Sequence, residues 1–261
     1  LALAAIPFGL GIGLSLGMLG GGGSVLAVPV LVYILGQSVH QATTASLVVV
    51  TAGAVVGGLS HAREQRVCWR HATAFTAGAL PGVLAGTAAG QAVSGTSLIA
   101  AFAIIMLAAA AATWRKATTN VHAPAPAQAI CPPLRLGLDL AAGVTVGAMT
   151  GFFGVGGGFL IVPTLTIALA LSMRLAVGTS LLIITVTSTL ALAAHLAAGR
   201  TIELGITAAM TAACVLGAAA GVRLAGRVPQ RQLGAAFAGL VVLVAAYLLV
   251  SAAFLEGPPG S

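Results

Sequence analysis

GMLGGGGSVLAVP, Gly17 to Pro29, is matched later in the chain by GFFGVGGGFLIVP, Gly151 to Pro163. The two copies align without a gap at an offset of 134 residues. The alignment runs on past them. Ser38 falls on Ser172, Ala42 on Ala176, Ser46 on Ser180, Leu47 on Leu181, Thr51 on Thr185, His61 on His195 and Arg66 on Arg200. From Gly17 to Arg66, 16 of 50 positions are identical. A chain this rich in small and aliphatic residues would give about one in ten by composition alone. The chain is therefore an internal duplication, which has to be settled before any other reading.

Hydrophobic residues make up 59% of the chain and charged residues 6%. A soluble domain carries roughly 25% charged residues, so this composition predicts an integral membrane protein. The net charge of +7 does not indicate nucleic acid, because the basic residues are scattered at segment ends rather than clustered on one face. Cys68, Cys131 and Cys214 have neither metal-ligand nor CxxC spacing, so buried or free thiols are expected and no metal or cofactor. No HExxH, GxSxG or paired intramembrane aspartate is present, so an enzyme is not expected.

Apolar runs predict helices at Leu1–Leu19, Ser24–Leu35, Ala42–Ser60, Ala72–Val93 and Leu98–Thr113. A matching set follows at Leu136–Phe153, Phe159–Leu171, Leu175–Ala198, Leu204–Leu224 and Leu233–Phe254. The chain thus divides into a first repeat (1–116), a proline-rich cytoplasmic linker (117–133), a second repeat (134–254) and a tail (255–261) outside the fold. A spanning helix needs about 20 apolar residues. The second element of each repeat is shorter, so a discontinuous or re-entrant helix near the bilayer midplane is expected. With an odd number of crossings per repeat, ten basic residues fall on one side and Arg200 alone on the other. The positive-inside rule makes the crowded side cytoplasmic and places both termini outside. The fold class expected is an all-α polytopic membrane protein with two inverted-topology repeats.

Consecutive glycines let the backbone turn tightly and present its N–H groups, and here they lead into a helix whose N-terminus suits an oxyanion. Gly20, Gly22, Gly23 and Ser24 are predicted as one wall of a central anion site. Gly154, Gly156, Gly157 and Gly158 are predicted as the other. Hydroxyls at Thr44, Ser46, Thr179 and Ser180 are further binding candidates, with hydrogen bonds back to their own helix as the ordinary alternative. His61 and His195 are a matched pair suited to gating or proton linkage. Arg66 and Arg200 could draw anions to the two mouths. No acidic residue lies in the middle of an apolar run. The membrane potential alone favours anion export by about 2.3 kcal/mol per charge per 100 mV.

On these glycine motifs, the HQATTASL and RLAVGTSL segments after them and the duplicated layout, the chain resembles the TauE/SafE family, the sulfite-exporter type of bacterial membrane protein. The resemblance covers nearly the whole chain. It implies transport of small sulfur-containing anions, such as sulfite, sulfoacetate or related sulfonates, across the bacterial inner membrane. Ser24 stands where the second copy has Gly158, and Val155 interrupts the second glycine run. The expectation is a secondary transporter working by alternating access, with an anion channel using the same helix N-termini as the alternative. Its partners would be the anion and membrane lipid, with a homodimer left open.

Overall fold

The computed structural model describes residues 2–90, 105–113, 115, 131–153, 158–197 and 202–254. Among these residues every regular element is a helix. The first half contributes α1 (Ala2–Leu19), α2 (Gly22–Pro29), α3 (Val39–Arg63), α4 (Trp69–Gly90) and α5 (105–113). The second contributes α6 (Leu136–Phe153), α7 (Gly158–Ile167), α8 (Met173–Ala197), α9 (Leu204–Ala225) and α10 (Gln230–Phe254). Three of them, α3 from Gln41 onward, α8 and α9, are long and apolar enough to cross a membrane. The protein is a multi-pass, all-helical membrane protein.

The duplication extends to backbone detail. α3 and α8 begin 134 residues apart, after Ser38 and Ser172. Both short helices carry a proline, Pro29 in α2 and Pro163 in α7. Proline donates no N–H and crowds the preceding turn. Both helices then loosen in the same way. Leu35 N–H donates to Val30 O (3.1 Å) and Gln37 N–H to Leu31 O (3.0 Å). Their equivalents Leu169 and Leu171 donate to Thr164 O (3.3 Å) and Leu165 O (3.0 Å). Between each pair sits a left-handed residue, Gly36 at φ 68° and Ala170 at φ 56°. The wide turns end the short helices, and Ser38 restarts the chain as α3 by accepting Gln41 N–H at 3.4 Å.

The halves interlock. α1 packs on α9 and α4 on α6, so each half's first helix lies against the other half's fourth. Glycines spaced four apart make these contacts. Gly13 lies on the carbonyl of Cys214, and Gly17 on that of Ala218. In the other corner Gly78, Gly82 and Gly86 lie on the carbonyls of Leu140, Val144 and Ala148. Small residues at this spacing let helix backbones meet, which is how membrane helices associate without a hydrophobic driving force between them. α3 and α8 cross at the middle, with α2 and α7 in contact beside them.

The turns sort to two ends. At one end Gln37, before α3, hydrogen-bonds Glu203, before α9 (3.3 Å). At the other, Arg66 of the α3–α4 turn lies against Gly226, after α9. Arg174 at the start of α8 reaches Val228 O there (3.4 Å). The turn after α2 thus lies with the second half's α8–α9 turn, while α8 begins among the turns that close α3 and α9.

Candidate functional site

The starts of α2 and α7 meet at the contact between the halves. Gly21, the N-cap of α2, lies against the backbone of Gly158, the first residue of α7, so closely that a Cβ on Gly21 would overlap the Gly158 carbonyl. A Cβ on Gly158 would stand 2.7 Å from Ser24 Oγ, and one on Gly20 2.5 Å from Ser180 Oγ. Gly20 adopts φ +70°, open only to glycine at little cost. The structure brings together Gly20, Ser24, Gly158 and Ser180 of the predicted residues, with Gly21 beside them. The other two glycines look elsewhere. A Cβ on Gly22 would meet Phe237 and Leu240 of α10 at 3.3–3.4 Å, and one on Gly23 would overlap α1 at Ile12 and Leu16. Gly154, Gly156, Gly157 and Arg200 lie outside the described residues.

The hydroxyls are largely engaged with their own helices. Ser24 donates to Gly21 O (2.7 Å), Ser46 to Thr43 O (2.8 Å) and Ser180 to Val177 O (2.8 Å). Ser46 and Ser180 are repeat equivalents, and so are their acceptors. These hydroxyl protons point to carbonyls of their own helices. Thr179 is buried and its Oγ1 accepts the Cys68 N–H at 3.0 Å, which ties α8 to the turn before α4.

The two histidines reach across the middle in a matched manner. His61 Nε2 stands 3.0 Å from Gly17 O, and its Cβ lies against the site of Gly178. His195 Nδ1 stands 3.2 Å from Thr44 Oγ1. Thr44 and Gly178 are repeat equivalents, so each histidine contacts the same position of the opposite half. His61 is buried, and its Nδ1 has no hydrogen-bond partner among the described residues. Arg66 is paired with Glu64 at 2.6 Å at the end shared with the α9–α10 turn.

One expectation is overturned. Cys68 and Cys131 are not free thiols; they form a disulfide with Cα atoms 5.8 Å apart. Their separation of 63 residues hides a proximity that only packing creates, because the linker end returns to the start of α4. Cys214 remains a buried thiol. Sequence reasoning also missed a buried ion pair beside that disulfide. His71 Nδ1 stands 2.6 Å from Asp139 Oδ1, and both residues are buried. A signal was present, since Asp139 is the sole aspartate of the chain and falls within an apolar run, LGLDLAAG. Nothing in the sequence names its partner.

The model of the sulfite exporter TauE/SafE family matches residues 5–248. The chain belongs to that family. Two similar relatives, each named a probable membrane transporter protein, come from Xylella fastidiosa, strain 9a5c at 37% identity and strain Temecula1 / ATCC 700964 at 35%. Each match covers 172 residues, 65% of this chain and 64% of the relative, so the chain spans somewhat less than two thirds of the curated relatives it matches. No solved structure matches the chain. The family's description and the relatives' names are those of membrane transporters.

Proposed function

We propose that the chain is a secondary transporter that exports small sulfur-containing anions, such as sulfite, sulfoacetate or other sulfonates, across the bacterial inner membrane. The observation that carries this reading is the meeting of two helix starts, Gly21 of α2 against Gly158 of α7, with Ser24 and Ser180 beside them. The first turn of a helix has unpaired N–H groups and a partial positive charge, so two such turns facing each other can hold an anion without a fixed cation. Inverted repeats are supported by the exchange of helices between halves, by the sorting of the turns and by the crossed contacts of His61 and His195. Gly21 and Gly158 touch in this conformation, so an anion enters between them only when the halves part. That favours alternating access over a continuous pore.

Positive charge is concentrated at the end holding Arg66, Arg135 and Arg174, which we assign to the cytoplasm, with both termini outside. The Cys68–Cys131 disulfide lies at this same end, whereas disulfides persist mainly in oxidising compartments. The charge bias acts during insertion and governs orientation.

Flux of labelled sulfite and sulfoacetate in proteoliposomes under an imposed potential tests the reading. Saturable movement, with counterflow, supports a carrier; unsaturable movement carried by large single-channel currents refutes alternating access. Absence of flux for both anions removes them as substrates.

A further inference from the structure

We propose that His71 and Asp139 form a proton-binding site that links the anion path to protons; the linkage, though not the proton site itself, rests on the transporter reading above. His71 has acceptors at both ring nitrogens. Nδ1 faces Asp139 Oδ1 at 2.6 Å and Nε2 faces Pro132 O at 3.2 Å. A neutral imidazole carries one N–H and satisfies one of these; the imidazolium satisfies both. Both contacts are met at once when the pair holds one shared proton, on the ring facing a carboxylate or on the carboxyl facing the ring, and the buried pair then has no net charge.

Loss of the proton changes the sum. The pair becomes a buried net anion, and the ring must abandon either Asp139 or the Pro132 carbonyl. A buried net charge is costly unless water or a counter-charge reaches it. Among the described residues Asp139 Oδ2 has no hydrogen-bond partner, so it gains directly from water. The way in is a cavity of about 190 Å³ lined by His71, Pro132, Arg135 and Leu138 on one side and Ala168 to Ala170 on the other. Water that enters as this cavity widens reaches the His71 side of the pair and offsets part of the cost of a net buried charge. Its far wall is the turn that ends α7, one of the two helices meeting at the central contact, and Cys68, bonded to Cys131, donates to Thr179 of α8. Opening the cavity thus works on both second-half elements of the anion site.

Among the described residues, few other charges act on the pair. Arg135 is the remaining charged residue lining the cavity. On the packed elements, α7 carries no ionisable residue. α8 carries Arg174, turned to Val228, and His195, beside Thr44 at its far end. On α4, Arg70 is exposed, and Cys68 and Cys131 are bonded to each other and do not titrate.

Because Asp139 is the only aspartate, aspartate labelled with ¹³C at the side-chain carboxyl gives this chain a single reporter. Its infrared or NMR signal is followed from about pH 5 to 8, the interval in which histidines change charge. The expected result is a titrating signal that becomes pH-independent in His71→Gln. A wild-type signal that does not move overturns the proposal without any variant having to fold. The second arm uses proteoliposomes and labelled sulfoacetate, which stays anionic across this range. At zero potential, a one-unit pH gradient should sustain about a tenfold accumulation for one proton per anion. Asp139→Asn should abolish the accumulation while retaining potential-driven flux. Equal accumulation by wild type and Asp139→Asn refutes the linkage. Sulfoacetate flux that is absent altogether, with the carboxyl still titrating, refutes that substrate reading and leaves the proton site standing.

Discussion

The corner formed by α4 and α6 and the corner formed by α1 and α9 are built to one plan, and they differ in charge. In both, glycines spaced four apart press one helix against the carbonyls of the other. At the repeat positions of His71 and Asp139, however, the α1–α9 corner has Gly205 and Ala5. Gly205 has open space around it and Ala5 is buried. The difference teaches that glycine contact alone is enough to join such a pair. The ion pair, the disulfide and the linker end are additions to one corner, gathered beside the turn after α7. A feature required only for assembly would be useful in both corners.

The largest test of this contrast is His71→Ala, which leaves Asp139 buried and unpaired. Breaking a buried pair from one side costs about 3–5 kcal/mol, so denaturation in detergent should show a large loss of stability. The double change His71→Gly with Asp139→Ala copies the α1–α9 corner and should recover most of it, since uncharged replacements of a buried pair are often near neutral. A double variant as damaged as the single one would mean that the corners differ in packing as well as charge.

Next in size is Cys131→Ser. Removing a disulfide that closes a long loop costs about 2–4 kcal/mol. The loss should appear under oxidising conditions and vanish against wild type once both are reduced. Gly21→Ala should cost about 1–3 kcal/mol through overpacking against Gly158, and should stop sulfite flux. Gly22→Ala should be nearly silent in both assays, because the helix gain of about 1 kcal/mol from glycine to alanine offsets crowding at Phe237. Equal effects at Gly21 and Gly22 would break the assignment of the inter-half contact to Gly21. The smallest expected effects are those of Ser46→Ala and Ser180→Ala. Each removes one hydrogen bond to its own helix, about 0.5–1.5 kcal/mol, and thermal melts should show the two to be alike.

Much of the fold was legible because the duplication is. The offset between Pro29 and Pro163 predicted equivalent short helices, and their turns agree down to the left-handed residues Gly36 and Ala170. Of the candidate site, Gly20, Ser24, Gly158 and Ser180 were readable from the repeat and do converge. The role of Gly21 was hidden, because its repeat equivalent is Val155 and matching residues single out what the copies share. Gly22 and Gly23 match across the repeat and yet face α10 and α1.

The sequence by itself determined a duplicated helical membrane protein, its family, its short glycine-led helices and the bias of its charges. Those properties reside in composition and local order, since hydropathy sets which segments leave water and proline and glycine set where helices stop. Tertiary structure alone decided which glycines face the other half, that Cys68 meets Cys131, and that Asp139 lies against His71. The last two depend on residues more than sixty positions apart being carried to one corner by the packing of α4 against α6, and the first depends on α2 meeting α7 between the halves.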